Sequence, residues 1–164
     1  MVRELQDSDL ERITEIYNYY IRRTETSFEE SEIDSIIMMD RVEKIRKSGL
    51  PWLVADISGH IVGYCYAAPW HGRAAYKNTV EVTAYLDHEE LRQGTGSLLY
   101  QELLLRLKDN GIRTAIGVIA LPNQGSVALH EKFGFEKVGH LHSIGRKNGK
   151  WLDVGYWQVV IPGV

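Results

Sequence analysis

Apolar and polar positions recur along this chain with two different periods, and the changes of period divide it into elements. Residues 2–5 alternate briefly and predict a short first strand. Asp7-Ser8-Asp9 offers capping side chains, after which Leu10, Ile13, Ile16, Tyr17, Tyr20 and Ile21 form the stripe of an amphipathic helix. Residues 22–30 are a polar loop holding one aromatic, Phe28. From Ser31 a second helical stretch carries Ile33, Ile36, Ile37, Val42 and Ile45 as its apolar side, and Ser48-Gly49-Leu50-Pro51 stops it. Residues 52–57 and 61–68 are β-rich runs joined by Ser58-Gly59-His60, the pattern of a hairpin. After a polar and aromatic loop over 69–78, residues 79–86 are β-branched and alternating, a strand. Leu98, Leu99, Leu103 and Leu107 mark a helix closed by Asn110-Gly111. A strand over 114–119, a short helix over 126–132 and two strands over 138–144 and 151–161 complete the chain, the last pair around the turn Asn148-Gly149.

The order is strand, two helices, three strands, helix, strand, helix, two strands. Without repeats, linkers or low-complexity segments, it predicts one α/β domain over 1–164 built on a mixed sheet. The length, 164 residues, suits that reading, and 44% hydrophobic with 25% charged residues is an ordinary globular balance. A net charge of −3 argues against a nucleic-acid partner, yet leaves room for an anionic ligand held by backbone N–H groups. Residues 1–5 show no apolar signal region, and no stretch reaches the roughly 20 apolar residues of a membrane helix. A soluble cytoplasmic protein, off the membrane, is expected. The single cysteine, Cys65, lies in an apolar run and reads as a buried strand residue rather than a nucleophile. The six histidines are scattered; His140 and His142 alternate on a strand without carboxylate or thiol company, so no metal is expected.

The segment Leu91-Arg92-Gln93-Gly94-Thr95-Gly96-Ser97 joins a strand to a helix. Its glycines let the backbone approach a ligand closely, and the helix directs free N–H groups and its positive dipole end into the loop. A pyrophosphate fits there; a glycine-capped tight turn is the plainer alternative. A dinucleotide fingerprint would need a third glycine where this chain has Leu99, which argues against a Rossmann site.

Two spaced motifs give these residues a family context. Gly94 and Gly96 match the pyrophosphate loop of the GCN5-related N-acetyltransferases, the GNAT superfamily, although Leu91 replaces its first polar residue. That family's later motif is met by Asn123, Ser126, Leu129, Lys132, Gly134 and Phe135, with His130 at the usual tyrosine position. The segments Ala68-Pro69-Trp70, Thr79-Val80-Glu81, Leu129-His130-Glu131 and the run from Asn148 to Gly155 further resemble the phosphinothricin and methionine sulfoximine N-acetyltransferases.

The resemblance implies a mixed, mostly antiparallel sheet with flanking helices, whose central parallel strands splay to admit acetyl-CoA. It implies that Ala84, Tyr85 and Leu86 meet the pantetheine arm, that Arg92, Gln93, Gly94, Thr95, Gly96 and Ser97 hold the pyrophosphate, and that Asn123 lies at the thioester end. It also implies a homodimer, helped by the aromatic strand with Tyr156 and Trp157. Acetyl transfer to an amine needs a base, because a free amine is mostly protonated near neutral pH. Glu81 matches the family's base; from its pattern alone it would equally suit the solvated face of a strand. His130 has a pKa range suited to proton traffic. Its position implies an acid at the departing sulfur or a ligand of the substrate carboxylate, and an ordinary helix histidine is the alternative. His71, Gly72, Arg73 and Tyr76 of the loop, with Val82 and Thr83, are expected around the acceptor, Arg73 pairing with a carboxylate. Glu29 and Glu30 follow Phe28 where the family carries a basic residue, so the acceptor's far end meets a different charge. The predicted function is acetylation of a small amino-acid-like amine. Acetylation of protein N-termini or peptides, and a non-catalytic CoA-binding module, are the competing readings.

Overall fold

The computed structural model describes residues 1–91 and 93–164. The elements are β1 (Val2–Glu4), α1 (Leu10–Arg23), α2 (Ser35–Lys47), β2 (Trp52–Ile57), β3 (His60–Pro69), β4 (Thr79–Leu86), α3 (Thr95–Asp109), β5 (Thr114–Leu121), α4 (Gln124–Lys132), β6 (Glu136–Lys147) and β7 (Lys150–Val160). The order matches the sequence pattern, with single 3-10 turns at Asp7–Asp9, Ala74–Tyr76 and His88–Glu90 added.

The strands form one seven-stranded sheet in the order β1-β2-β3-β4-β5-β7-β6. Neighbours run antiparallel except β4 and β5, which are parallel and connected through α3, the long crossover a parallel pair requires. β2 shows how the sheet is covered on both sides. Trp52 and Val54 pack with α1 and α2, whereas Leu53 and Ala55 pack with α3, so residues 52–55 read as an unbroken apolar run.

α1 buries the stripe its spacing predicts, through Leu10, Ile13, Ile16 and Ile21. α2 does not. The Asp34 carboxylate accepts the Ile37 N–H at 2.9 Å and fixes the first turn later than Ser31. The buried positions then become Met38, Val42 and Ile45, while Ile36 and Ile37 are exposed. The expected interface role of the last strand is likewise corrected at Trp157, which is buried in the core and donates its indole N–H to Glu131.

The β6–β7 hairpin contains a wide irregularity. Leu141 faces Val154 and Gly145 faces Leu152, so three residues of β6 bulge opposite Asp153 alone. Asp153 fills the bulge, its Oδ1 accepting the Ser143 N–H at 2.8 Å and its Oδ2 facing His140 Nε2 at 2.7 Å and His142 Nδ1 at 3.1 Å. These histidines therefore have carboxylate company after all; the partner comes from the other strand, at a distance that neighbouring sequence does not reveal. Among the described residues, no helix is long and apolar enough to cross a membrane.

Candidate active site

The parallel pair is short. Its register runs from Thr79 opposite Thr114 to Val82 opposite Gly117. Beyond that step β4 continues to Leu86 paired only with β3, and β5 continues to Leu121 paired only with β7. The backbone groups along the two facing edges thereby become available to a third, extended chain.

A cleft of about 520 Å³ opens at this parting. Ala84, Tyr85 and Leu86 form one wall, Gly94, Thr95, Gly96 and Ser97 the start of α3, and Asn123 with Leu129 and Lys132 the α4 side. Arg92 lies outside the described residues, and Gln93 is exposed beside the loop. Gly94 caps α3 at φ 85°, a left-handed conformation for which glycine is suited. Gly96 has a second task. A Cβ there would stand 3.4 Å from side-chain atoms of both Leu129 and Leu86, so the missing side chain lets α3 approach β4 and α4 closely. Lys132 lines the same cleft and donates to Ser97 Oγ at 2.8 Å. It brings positive charge to the helix end, a role that its place in the Lys-x-Gly-Phe segment signals and that was not assigned from sequence. α1 also contributes: the Tyr20 hydroxyl donates to the Leu86 carbonyl at 2.6 Å, and Arg12 pairs with Asp87 just ahead of the loop.

Glu81 and His130 flank the point of parting from opposite faces of the sheet. Glu81 stands across from Ala68, which packs on the α1–α2 side, and Tyr85 on the same strand packs there too. Burial raises the Glu81 carboxyl pKa above its ordinary value. No hydrogen-bond or ion-pair partner approaches it among the described residues, so nothing offsets that effect.

His130 sits on the α3–α4 side and is 4% exposed. Its Nδ1 faces the Ser126 carbonyl at 2.7 Å, which makes that nitrogen the donor. Nε2 is then left to accept the Tyr100 hydroxyl at 2.9 Å. A Cβ on Gly117 would overlap the imidazole, so the ring occupies the space that this glycine leaves at the last paired step. Burial lowers the His130 pKa, opposed in part by the Ser126 carbonyl. Both ring nitrogens are thus occupied, and the side chain is enclosed by Tyr100 and Phe135 instead of reaching the Glu81 face.

The expected acceptor residues are gathered less tightly. Thr83 shares the Glu81 face, beside Tyr66. Val82 is buried with the α3 cluster, so its side chain points away from that face, as strand alternation dictates, and only its backbone lies beside Glu81. His71, Gly72, Arg73 and Tyr76 are all exposed. His71 packs edge-on against Tyr76, and Trp70 bridges this loop to Tyr156 on β7. Glu29 is engaged by Arg41 of α2, whose guanidinium also lies over the Tyr17 ring. Of the two carboxylates that follow Phe28, Glu29 is therefore paired. Asn123 caps α4, its Oδ1 accepting the Ser126 N–H at 3.1 Å.

A central parallel pair that parts over a glycine-capped helix defines a class, and comparison with known proteins agrees. Residues 2–155 match the family model for an acetyltransferase (GNAT) domain. The chain is 38% identical over 157 residues to the phosphinothricin N-acetyltransferase of Streptomyces viridochromogenes, covering 96% of this chain and 85% of that protein. It is 30% identical over 159 residues to the L-methionine sulfoximine/L-methionine sulfone acetyltransferase of Pseudomonas paraeruginosa, covering 96% and 92%. The crystal structure of a GNAT superfamily phosphinothricin acetyltransferase from Sinorhizobium meliloti in complex with acetyl-CoA is similar at a TM-score of 0.95 and 35% identity, covering 98% of this chain and 88% of that one. The chain belongs to the GNAT acetyltransferase family, and it is an acetyltransferase.

Proposed function

We propose that this enzyme transfers acetyl from acetyl-CoA directly to the amine of a small amino acid such as phosphinothricin, methionine sulfoximine or methionine sulfone. The observation that carries the reading is Glu81, a half-buried carboxylate without a partner among the described residues, one step before the strands part. A carboxylate whose pKa is raised toward neutrality is better matched to an amine proton than an exposed one. In this reading the acetyl-CoA pyrophosphate rests on the N–H groups at the start of α3, with Lys132 beside it, and the pantetheine arm runs along residues 84–86. The amine is approached by Glu81 from the α1–α2 face, directly or through one water. Its lone pair attacks the thioester carbon, the N–C bond forms as the C–S bond breaks, and the proton that the nitrogen sheds passes to the thiolate, so that CoA leaves as the thiol. Arg73 is assigned to the substrate carboxylate, which requires its exposed loop to fold inward when the acceptor binds.

For His130 we favour a positioning role. Held neutral against Gly117, it fixes the place where β4 and β5 separate, and it keeps α4 and its Asn123 end in register with the cleft. The relatives' names support the amino-acid acceptor. A cytoplasmic homodimer without metal in the acetyl site is the form we assign to the active enzyme. The test is acetyl-CoA consumption with a panel of amino acids that includes phosphinothricin and methionine sulfoximine, alongside short peptides with free N-termini. Acetylation of the amino acids supports the reading. Turnover confined to peptides would replace it with N-terminal acetylation, and no turnover with either group would place the acceptor outside both classes.

A further inference from the structure

The β6–β7 hairpin carries a side-chain cluster that the acetyl site does not use. We propose that His140, His142 and Asp153 form a surface binding site for a divalent cation of the zinc class. The ligating atoms of the three side chains lie within 4.8 Å of one another, and both imidazoles direct a ring nitrogen at the same carboxylate oxygen, Asp153 Oδ2. Two imidazole nitrogens and one carboxylate oxygen are a donor set that suits Zn²⁺ and its neighbours better than Ca²⁺ or Mg²⁺.

The geometry is close to what an ion needs. The nitrogens stand 2.7 and 3.1 Å from Oδ2. Tetrahedral coordination with bonds of about 2.0–2.1 Å separates its ligand atoms by roughly 3.3 Å, so His140 has to draw back from Oδ2 by about 0.6 Å and His142 by about 0.2 Å, the two ring nitrogens starting within 4.8 Å of each other. The two rings already stack at 4.4 Å between centroids, inclined by 24°. The carboxylate is aimed from behind, because its other oxygen holds the Ser143 N–H at 2.8 Å, the kind of support that orients a ligating group. Three protein ligands leave a further position for water.

The bulge explains why these groups converge. Three residues of β6, His142, Ser143 and Ile144, oppose Asp153 alone, with Ser143 in the left-handed region at φ 50°. A regular ladder would have paired each with its own partner on β7. Binding has one identifiable cost. Each neutral imidazole must carry its proton on the nitrogen away from the ion, and for His140 that is Nδ1, which now faces Lys137 Nζ at 2.9 Å. The exposed Lys137 has to swing into solvent, where its ammonium is fully hydrated.

The test is calorimetric titration of the chain, free of any added histidine tag, with Zn²⁺ near pH 7.5. The expected result is one equivalent bound per chain, weakened at least tenfold by His142→Ala and abolished by His140→Ala combined with His142→Ala. Asp153→Asn retains an oxygen to accept the Ser143 N–H, so it spares the hairpin while weakening the ion at least tenfold. His142→Ala, at an exposed position, provides a second variant that does not depend on the bulge surviving. Zn²⁺ should raise the thermal midpoint of the parent chain and leave that of the double variant unchanged. Absence of a stoichiometric site in the parent, or equal Zn²⁺ binding by parent and double variant, would overturn the proposal.

Discussion

Glu81 concentrates the most consequence in one residue. Replacing it with glutamine keeps the shape and removes the proposed proton acceptor. General-base assistance is typically worth 10²–10⁴-fold, so kcat/KM should fall by about that factor near neutral pH, with acetyl-CoA affinity nearly unchanged. The deficit should shrink as pH rises, because more of the amine is then already unprotonated; a pH–rate profile of both proteins reads this. Stability should move the opposite way. The folded state raises the Glu81 pKa, so it favours the protonated carboxyl, and the resulting stability is lost as pH rises through the folded value. Glu81→Gln should therefore be more resistant to urea than the parent at pH 7 and lose that advantage near pH 4. His130 has the reverse linkage. Its lowered pKa means that stability is present above the ordinary histidine value, about 6.5, and is lost as pH falls through the folded value. Denaturation of the parent and of His130→Gln between pH 5 and 7.5 should show a steeper acid decline in the parent. Equal slopes would mean that His130 titrates as it does in the unfolded chain.

At the scale of elements, the start of α3 and the end of α4 make joint predictions about the cofactor. Gly96→Val should weaken acetyl-CoA binding strongly, because a β-branched side chain would press on Leu86 and Leu129 and narrow the cleft between them. Lys132→Ala should lower acetyl-CoA affinity by about ten- to a hundredfold, the range of a hydrogen bond to a charged group. Calorimetric titration measures both, and unchanged affinity in a folded variant would remove that residue from the cofactor site. The glycine loop was legible as a loop because a left-handed helix cap at Gly94 and close packing at Gly96 both favour a residue without a side chain. Lys132 lay inside a recognised motif without a role, since its meeting with Ser97 depends on how α4 docks beside α3. The first turn of α2 was misread because Ile36 and Ile37 outweigh Met38 in the pattern, whereas the Asp34 cap fixes the turn at which the helix begins.

Across the whole molecule, the seven-stranded architecture could be read from the alternation of elements, but the placement of Glu81 and His130 about the sheet could not. Glu81 and His130 are matched to one motif set, and they lie on opposite faces because a strand and a helix reach the same parting from different layers. The edge of the sheet tells a similar story. Val138, Leu141, Ile144 and Trp151 leave large apolar side chains exposed along the terminal hairpin. These residues, and not Trp157, are the ones to test in the proposed homodimer. Sedimentation of Trp151→Lys combined with Ile144→Lys should give a lighter species than the parent; identical sedimentation would place the contact elsewhere.

The parting of β4 from β5 has a consequence for the order of events in turnover. If the acetyl donor lodges among the helix ends while the acceptor waits on the Glu81 face, each has its own entrance, and neither must depart before the other arrives. Such an enzyme has no need to store the acetyl group on itself. Its one thiol, Cys65, is sealed in the core, where burial pushes the pKa well up. Initial-rate plots against the amine, drawn at several fixed acetyl-CoA concentrations, should accordingly intersect, the signature of a ternary complex. Parallel lines would instead reveal an acetylated intermediate and relocate the chemistry to a side chain that the opening does not serve.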